Sequence, residues 1–156
     1  MAIDRVRAFF EPLGMAQRIL EFDVSSATVD LAAAALGCEP KRIAKTLSFL
    51  LDDRALLVVT AGEAKVDNGK FKAQFHSKAK MLSPEQAVAL VGHAVGGVCP
   101  FAVNEGVSVY LDVSLRRFET VFPACGSSNS AVEMTVGELE QYSASLGWVD
   151  VCKDWA

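Results

Sequence analysis

No stretch of this chain is apolar for long enough to cross a bilayer, and no two of its four cysteines form a C-x-x-C pair. The first lack excludes a membrane-spanning helix. The opening Met1-Ala2-Ile3-Asp4-Arg5 also lacks the basic-then-apolar order of a signal peptide, so a cytoplasmic protein is expected. Cys38, Cys99, Cys125 and Cys152 lie far apart, and the only histidines, His76 and His93, do not cluster with them. Zinc ligands normally come in close pairs, so no metal is expected. Nothing in the sequence calls for an organic cofactor either. In a reducing compartment the cysteines are most simply small apolar core residues. Basic residues are outnumbered, 15 against 19, for a net charge of −4. An acidic chain is poorly suited to coating a nucleic-acid backbone. There is no repeat, low-complexity run or linker, and 156 residues are enough for one domain spanning 1–156 with its own core.

Against these absences, one segment stands out. Gly92-His93-Ala94-Val95-Gly96-Gly97-Val98-Cys99-Pro100-Phe101 carries three glycines and a proline between apolar residues. Glycine permits positive φ and close approach to the main chain, and proline fixes the exit. Such a loop either makes a tight turn before a strand or offers bare N–H groups to an oxyanion or phosphate. Lys45 is the second unusual residue. In a strand it shares a face with Ile43, Leu47, Phe49 and Leu51, all apolar. Its ammonium must either snorkel to water or turn into a pocket toward an anion. Charge is also uneven. Between Ala64 and Lys80 lie five lysines (65, 70, 72, 78 and 80) against Asp67 alone, either a solvated helix face or a small phosphate-touching patch.

Periodicity and caps predict helices over residues 2–11, 28–36, 67–76 and 83–91, and from Thr135 to about Ser145. Ser83-x-x-Gln86 and Thr135-x-x-Glu138 have the form of capping boxes. Strands are expected over 18–22, 78–82, 107–113, 118–124, 131–136 and 148–151, with a hairpin of 42–51 and 55–61 turning at Asp52-Asp53. The mixture argues for an α+β fold, a curved mixed sheet or barrel flanked by helices. Asp112 falls with Tyr110 on the less apolar face of its strand. It is either a solvated carboxylate or a partner for Lys45 or a substrate amine. The loop from Cys125 to Ser130 is rich in small hydrogen-bonding groups but lacks the G-x-S-x-G form of a hydrolase nucleophile. His93 and Cys99 could in principle pair as base and nucleophile.

Taken together, these pieces resemble the YbaK/prolyl-tRNA synthetase-associated editing domain family, from about Ile19 to Tyr142. The markers are Lys45-Thr46-Leu47, the G-x-x-x-P loop Gly96–Pro100, the strand end Leu111-Asp112, Phe118-Glu119-Thr120-Val121, and the loop Gly126–Ser130 leading into Val132-Glu133-Met134. The resemblance implies a mixed β-barrel flanked by helices and a freestanding aminoacyl-tRNA deacylase. Such an enzyme hydrolyses the ester of a wrong small amino acid on the 3′ acceptor end of a tRNA, typically tRNA for proline, alone or beside prolyl-tRNA synthetase. It implies that main-chain amides of Gly96, Gly97, Val98 and Cys99 hold the substrate carbonyl and that Lys45 orients the terminal nucleotide. Thr46, His93, Pro100, Asp112, Gly126, Ser127 and Ser130 would surround the substrate. A silent module that binds tRNA ends or aminoacyl-adenylate is the alternative, and a monomer is the default. In the alanine-specific branch the lysine is followed by asparagine, and the later glycine loop carries a histidine. Here Thr46 follows Lys45 and residues 126–130 contain no histidine. The pattern leans toward the cysteine-type branch or another small amino acid.

Overall fold

The central feature is a hairpin of two well-filled strands. In the computed structural model, which describes residues 2–155, β2 (Ile43–Leu51) and β3 (Arg54–Ala61) pair antiparallel from Ala44↔Ala61 to Leu51↔Arg54. Asp52 and Asp53 make the turn with φ of 49° and 67°. A two-residue hairpin loop wants two left-handed residues, and aspartate tolerates that conformation better than most. Every residue of β3 after Arg54 is buried. The reason is its place in the sheet. β5 (Ser108–Asp112) pairs parallel on its other edge, and β9 (Trp148–Val149) follows β5 in parallel. On the far side β6 (Thr120–Pro123) runs parallel to β2, and β8 (Met134–Thr135) closes against β6 antiparallel. The six-stranded order is therefore β8-β6-β2-β3-β5-β9. Two small antiparallel pairs complete the strands. β1 (Ile19–Glu21) joins β7 (Ser130–Val132), and β4 (Lys65–Val66) joins β10 (Cys152–Lys153). The result is the expected α+β architecture, a mixed sheet curled into a half-barrel with helices outside.

The helices begin and end where local chemistry dictates. α1 covers Ala2–Phe10, α2 Val29–Leu36, α3 Asn68–Phe75 and α5 Val136–Tyr142. Thr28 Oγ1 accepts from Leu31 N at 3.2 Å, and Gly37 closes α2 at φ +69°. Both predicted capping boxes form, Ser83 with Gln86 and Thr135 with Glu138. After the short α4 (Pro84–Gln86) the chain widens into a π-helical turn, Ala87–Val91. The expected strand over 78–82 shrinks to a bridge between Met81 and Phe49. Only Leu50 N→Lys80 O and Leu82 N→Ser48 O hold it, because the chain turns away at once into the Ser83 cap. The core is aromatic at both ends. Phe10 packs on Phe101 at 4.9 Å between centroids, and Phe49, Phe71, Phe75 and Tyr110 form a chain with spacings of 4.7, 4.8 and 5.2 Å.

Asp112 corrects the sequence reading. It is fully buried rather than solvated. Oδ2 accepts from Ser114 N and Oδ1 from Val151 N, each at 2.9 Å. The carboxylate thus fastens the segment leading to β10 onto the end of β5. Alternation misleads here because β5 is covered on both faces, so side-chain polarity does not report which face is wet. Replacing Asp112 with alanine strands two buried N–H groups and should lower stability by about 2–4 kcal/mol. A urea midpoint that falls at unchanged slope is the expected result.

Candidate functional site

A cavity of about 480 Å³ opens beside the outer edge of β2. Its floor is apolar, formed by Val29, Ala32, Ile43, Phe122, Ala124 and Ala131. Residues with polar side chains sit around it, Ser26, Thr28, Lys45, Thr46, Ser48 and Ser130, together with Gly96 and Val98 of the glycine loop. Among these lining residues Lys45 is the only one with a titratable side chain. The cavity exists because β6 stays with β2 only at Ile43 and Ala44. Ser48 O and Leu50 N bond outward to Leu82 N and Lys80 O, so even-numbered residues of β2 turn their main chain away from β3. Thr46 therefore presents its N–H and C=O on the open stretch between those two contacts. Its hydroxyl is also buried without a hydrogen-bond partner.

Lys45 takes neither course the sequence left open. It lines the cavity, but its Nζ donates to Ala64 O at 2.8 Å, across the face shared with Phe49. Burial pushes its pKa below the ordinary lysine value, opposed in part by nearby Cys152 and Glu63. One donor is spent on the carbonyl, and an ammonium has three.

The glycine loop reaches the same cavity. Gly97 N donates to Ala94 O at 3.0 Å, closing a turn whose third residue, Gly96, has φ +94°. The amide of Gly97 is thereby occupied. The N–H groups of Gly96, Val98 and Cys99 make no hydrogen bond among the described residues, and Gly96 and Val98 line the cavity. Gly97 is glycine for a packing reason. A Cβ there would lie 2.6 Å from Ser127 N and 2.8 Å from Gly126 C, so the two loops touch backbone to backbone. Gly126 in turn presses on the start of α1, with a would-be Cβ 2.9 Å from Ala2 C. Ser127 Oγ donates to Asn129 Oδ1 at 3.0 Å and lies 2.6 Å from Ser130 Oγ, so it props the serine that faces the cavity.

Lys45, Thr46, Gly96, Val98 and Ser130 are thus brought together. Gly97, Cys99, His93, Pro100, Gly126, Ser127 and Asp112 are not among the lining residues. Sequence reasoning missed Ser26, Val29, Ser48 and Phe122, which reach the cavity only through tertiary folding. His93 and Cys99 do sit together, with Cys99 Sγ 3.6 Å from His93 Nε2, but both are fully buried. Burial pushes the Cys99 thiol up to about 12, so it stays protonated and is no nucleophile at neutral pH.

His93 is a structural strut. Its Nε2–H donates to Phe101 O at 2.8 Å, and its Nδ1 is buried without a partner. Burial holds its pKa below 6.5. The unfolded chain takes up a proton near 6.5 that the folded state refuses, so unfolding becomes easier as pH drops through that value. Urea midpoints measured between pH 7.5 and 5 should fall. The slope should flatten in a His93→Gln variant.

Known proteins share this architecture and much of this sequence. Protein YwhH of Bacillus subtilis (strain 168), described as uncharacterized, is 51% identical over 156 residues, 99% of each chain. Proline–tRNA ligase of Shouchella clausii (strain KSM-K16) is 31% identical over 120 residues, 76% of this chain but only 21% of the ligase. A crystal structure described as a candidate trans-editing enzyme for prolyl tRNA synthetase superposes with a TM-score of 0.87 at 28% identity, covering 98% of both chains. The model of the aminoacyl-tRNA editing domain matches residues 24–142. This chain belongs to the aminoacyl-tRNA editing domain family.

Proposed function

We propose that the protein is a trans-editing deacylase that hydrolyses the ester joining a mischarged small amino acid to the 3′ end of a tRNA, with tRNA for proline as the leading substrate. The observation that carries this reading is the composition of the cavity wall. Its lining includes one lysine and two residues of the glycine loop whose amides are unbonded, but no carboxylate, imidazole or thiol. A pocket so built cannot supply a side-chain general base from an acid or histidine. It can stabilise charge that develops on an ester carbonyl. The N–H groups of Gly96 and Val98 are the donors for that oxyanion, with Cys99 N next in line. Water adds to the carbonyl carbon, the ribose oxygen leaves, and the neighbouring ribose hydroxyl carries the proton to it. Amino acid and free tRNA end result. For a cysteinyl ester the substrate's own thiol can attack the carbonyl carbon first: the ribose oxygen leaves with the thiol's proton, a cyclic thioester forms, and water then opens that ring to free cysteine.

The acyl side chain lies on the apolar floor of Val29, Ala32, Ile43 and Phe122, which suits a small uncharged group. The open main chain of Thr46 takes up the substrate amine. Lys45 has donors left for a phosphate or ribose of the terminal nucleotide. A pocket of this kind separates small amino acids by about 1–3 kcal/mol per methylene, which limits how sharply it can choose among them.

The test is deacylation of a panel of charged tRNAs, including alanyl-, cysteinyl- and prolyl-tRNA for proline. Val98→Pro removes one oxyanion donor and should cut kcat about 10²-fold or more. Lys45→Ala should raise KM, while Cys99→Ser should change kcat only a few-fold because that thiol never reaches substrate. Wild-type protein that leaves every ester at its uncatalysed rate, yet retains charged tRNA, would mark a binding module instead.

A further inference from the structure

Of the five lysines of the basic segment only Lys70 and Lys72 lie on a helix, α3. Lys65 lies on β4, whose antiparallel register sets it directly opposite Lys153 of β10. Like charges facing each other across a ladder are destabilising. Both side chains are exposed, and neither has an ion-pair partner among the described residues. Asp67 Oδ1 caps α3 through Lys70 N and its carboxylate also feels Lys153, while Asp150 pairs with Lys70 and Glu63 pairs with Arg117. The pair also has an address. Lys45 Nζ bonds Ala64 O, the residue before Lys65, so one peptide separates the cavity's only ammonium from this doublet.

We infer that Lys65 and Lys153 form the backbone-binding track for the single-stranded 3′ end of the RNA whose last nucleotide enters the cavity. This rests on the deacylase reading and adds to it the side from which the strand arrives. A polyanionic strand is the occupant that removes the repulsion built into the β4–β10 register. Two lysines suit an acidic protein that grips only a few phosphates. The C-terminal segment supplies half of the track and is held in place by Asp112 through Val151, by Lys70 Nζ on Cys152 O at 2.9 Å, and by Arg117 Nη1 on Trp155 O at 2.5 Å.

The experiment uses the full chain and two probes. The first is a labelled acceptor-stem hairpin ending in a single-stranded CCA, followed by anisotropy across salt. The second is an aminoacyl ester of adenosine alone, which has no upstream phosphates. In Lys65→Ala/Lys153→Ala, hairpin binding at 50 mM salt should weaken by roughly tenfold per lysine, and the log–log salt slope should drop by about 1.4. Turnover of the adenosine ester should stay at the wild-type value. As a control, Lys72→Ala/Lys78→Ala in the same basic segment should leave hairpin binding unchanged. Equal losses in both double variants, or no loss in the first, would overturn the track. Hairpin binding is read without turnover, so a chain that binds through these lysines but cleaves no ester overturns the deacylase reading alone.

Discussion

An interrupted strand edge underlies the site. β2 has β6 beside it only to Ala44 and regains an outer neighbour only at Ser48. Had β6 continued, the main chain of Thr46 would be spent on a ladder and the space would be filled by side chains. The gap instead holds the cavity, with one wall of unpaired strand and another of glycine loop. β-Sheet proteins usually cover or charge such an edge. Here residues Ser26–Val29, Pro84 and Gly96 surround it without pairing to it, and Leu82 bonds β2 only at Ser48, so the stretch at Thr46 is enclosed and still able to bond.

Two close backbone approaches keep the opposite wall rigid. The 92–101 loop lies against the Gly126–Ser127 loop, and that loop lies against α1. Arg5 on α1 donates to Ala102 O at 2.6 Å and to Asn104 Oδ1 at 3.1 Å, at the exit of the same loop. Below it, His93 braces Phe101. The amides of Gly96 and Val98 are therefore fixed by packing on three sides before any ligand arrives. The proposed oxyanion role asks for donors that need no reorganisation, and this packing is consistent with that demand.

The sequence revealed local structure well and three-dimensional neighbours unevenly. Caps and turns were legible because each rests on chemistry within four residues: Thr28, Ser83, Thr135 and the Asp52-Asp53 turn all behave as their types demand. Lys45 and the glycine loop were legible as oddities, a cation in an apolar strand and a glycine run between apolar flanks, and they share the cavity. Asp112, His93 and Cys99 were harder. Their polarity suggested a site, yet each is buried and bonded to main chain, that of Phe101 for His93 and Cys99 and of Ser114 and Val151 for Asp112. A buried polar residue and a ligand-facing one look alike until the bonds are known. Ser26, Ser48 and Phe122 carried no local signal, since their place at the cavity comes from chain crossings no spacing encodes. The cross-strand meeting of Lys65 with Lys153 likewise depends on residues 88 positions apart finding one register.

The chain's two tryptophans sit in distinct parts of this arrangement. Trp148 belongs to β9 at the sheet edge, with the Arg116 guanidinium 4.3 Å from its ring centre and its indole N–H on Glu140. Trp155 lies past β10, with Arg117 at 4.9 Å. Detachment of the C-terminal segment would strip the second indole of its cation and expose it to solvent while leaving the first in its sheet. Intrinsic fluorescence therefore carries separate readings of tail fraying and of global melting, without any added dye.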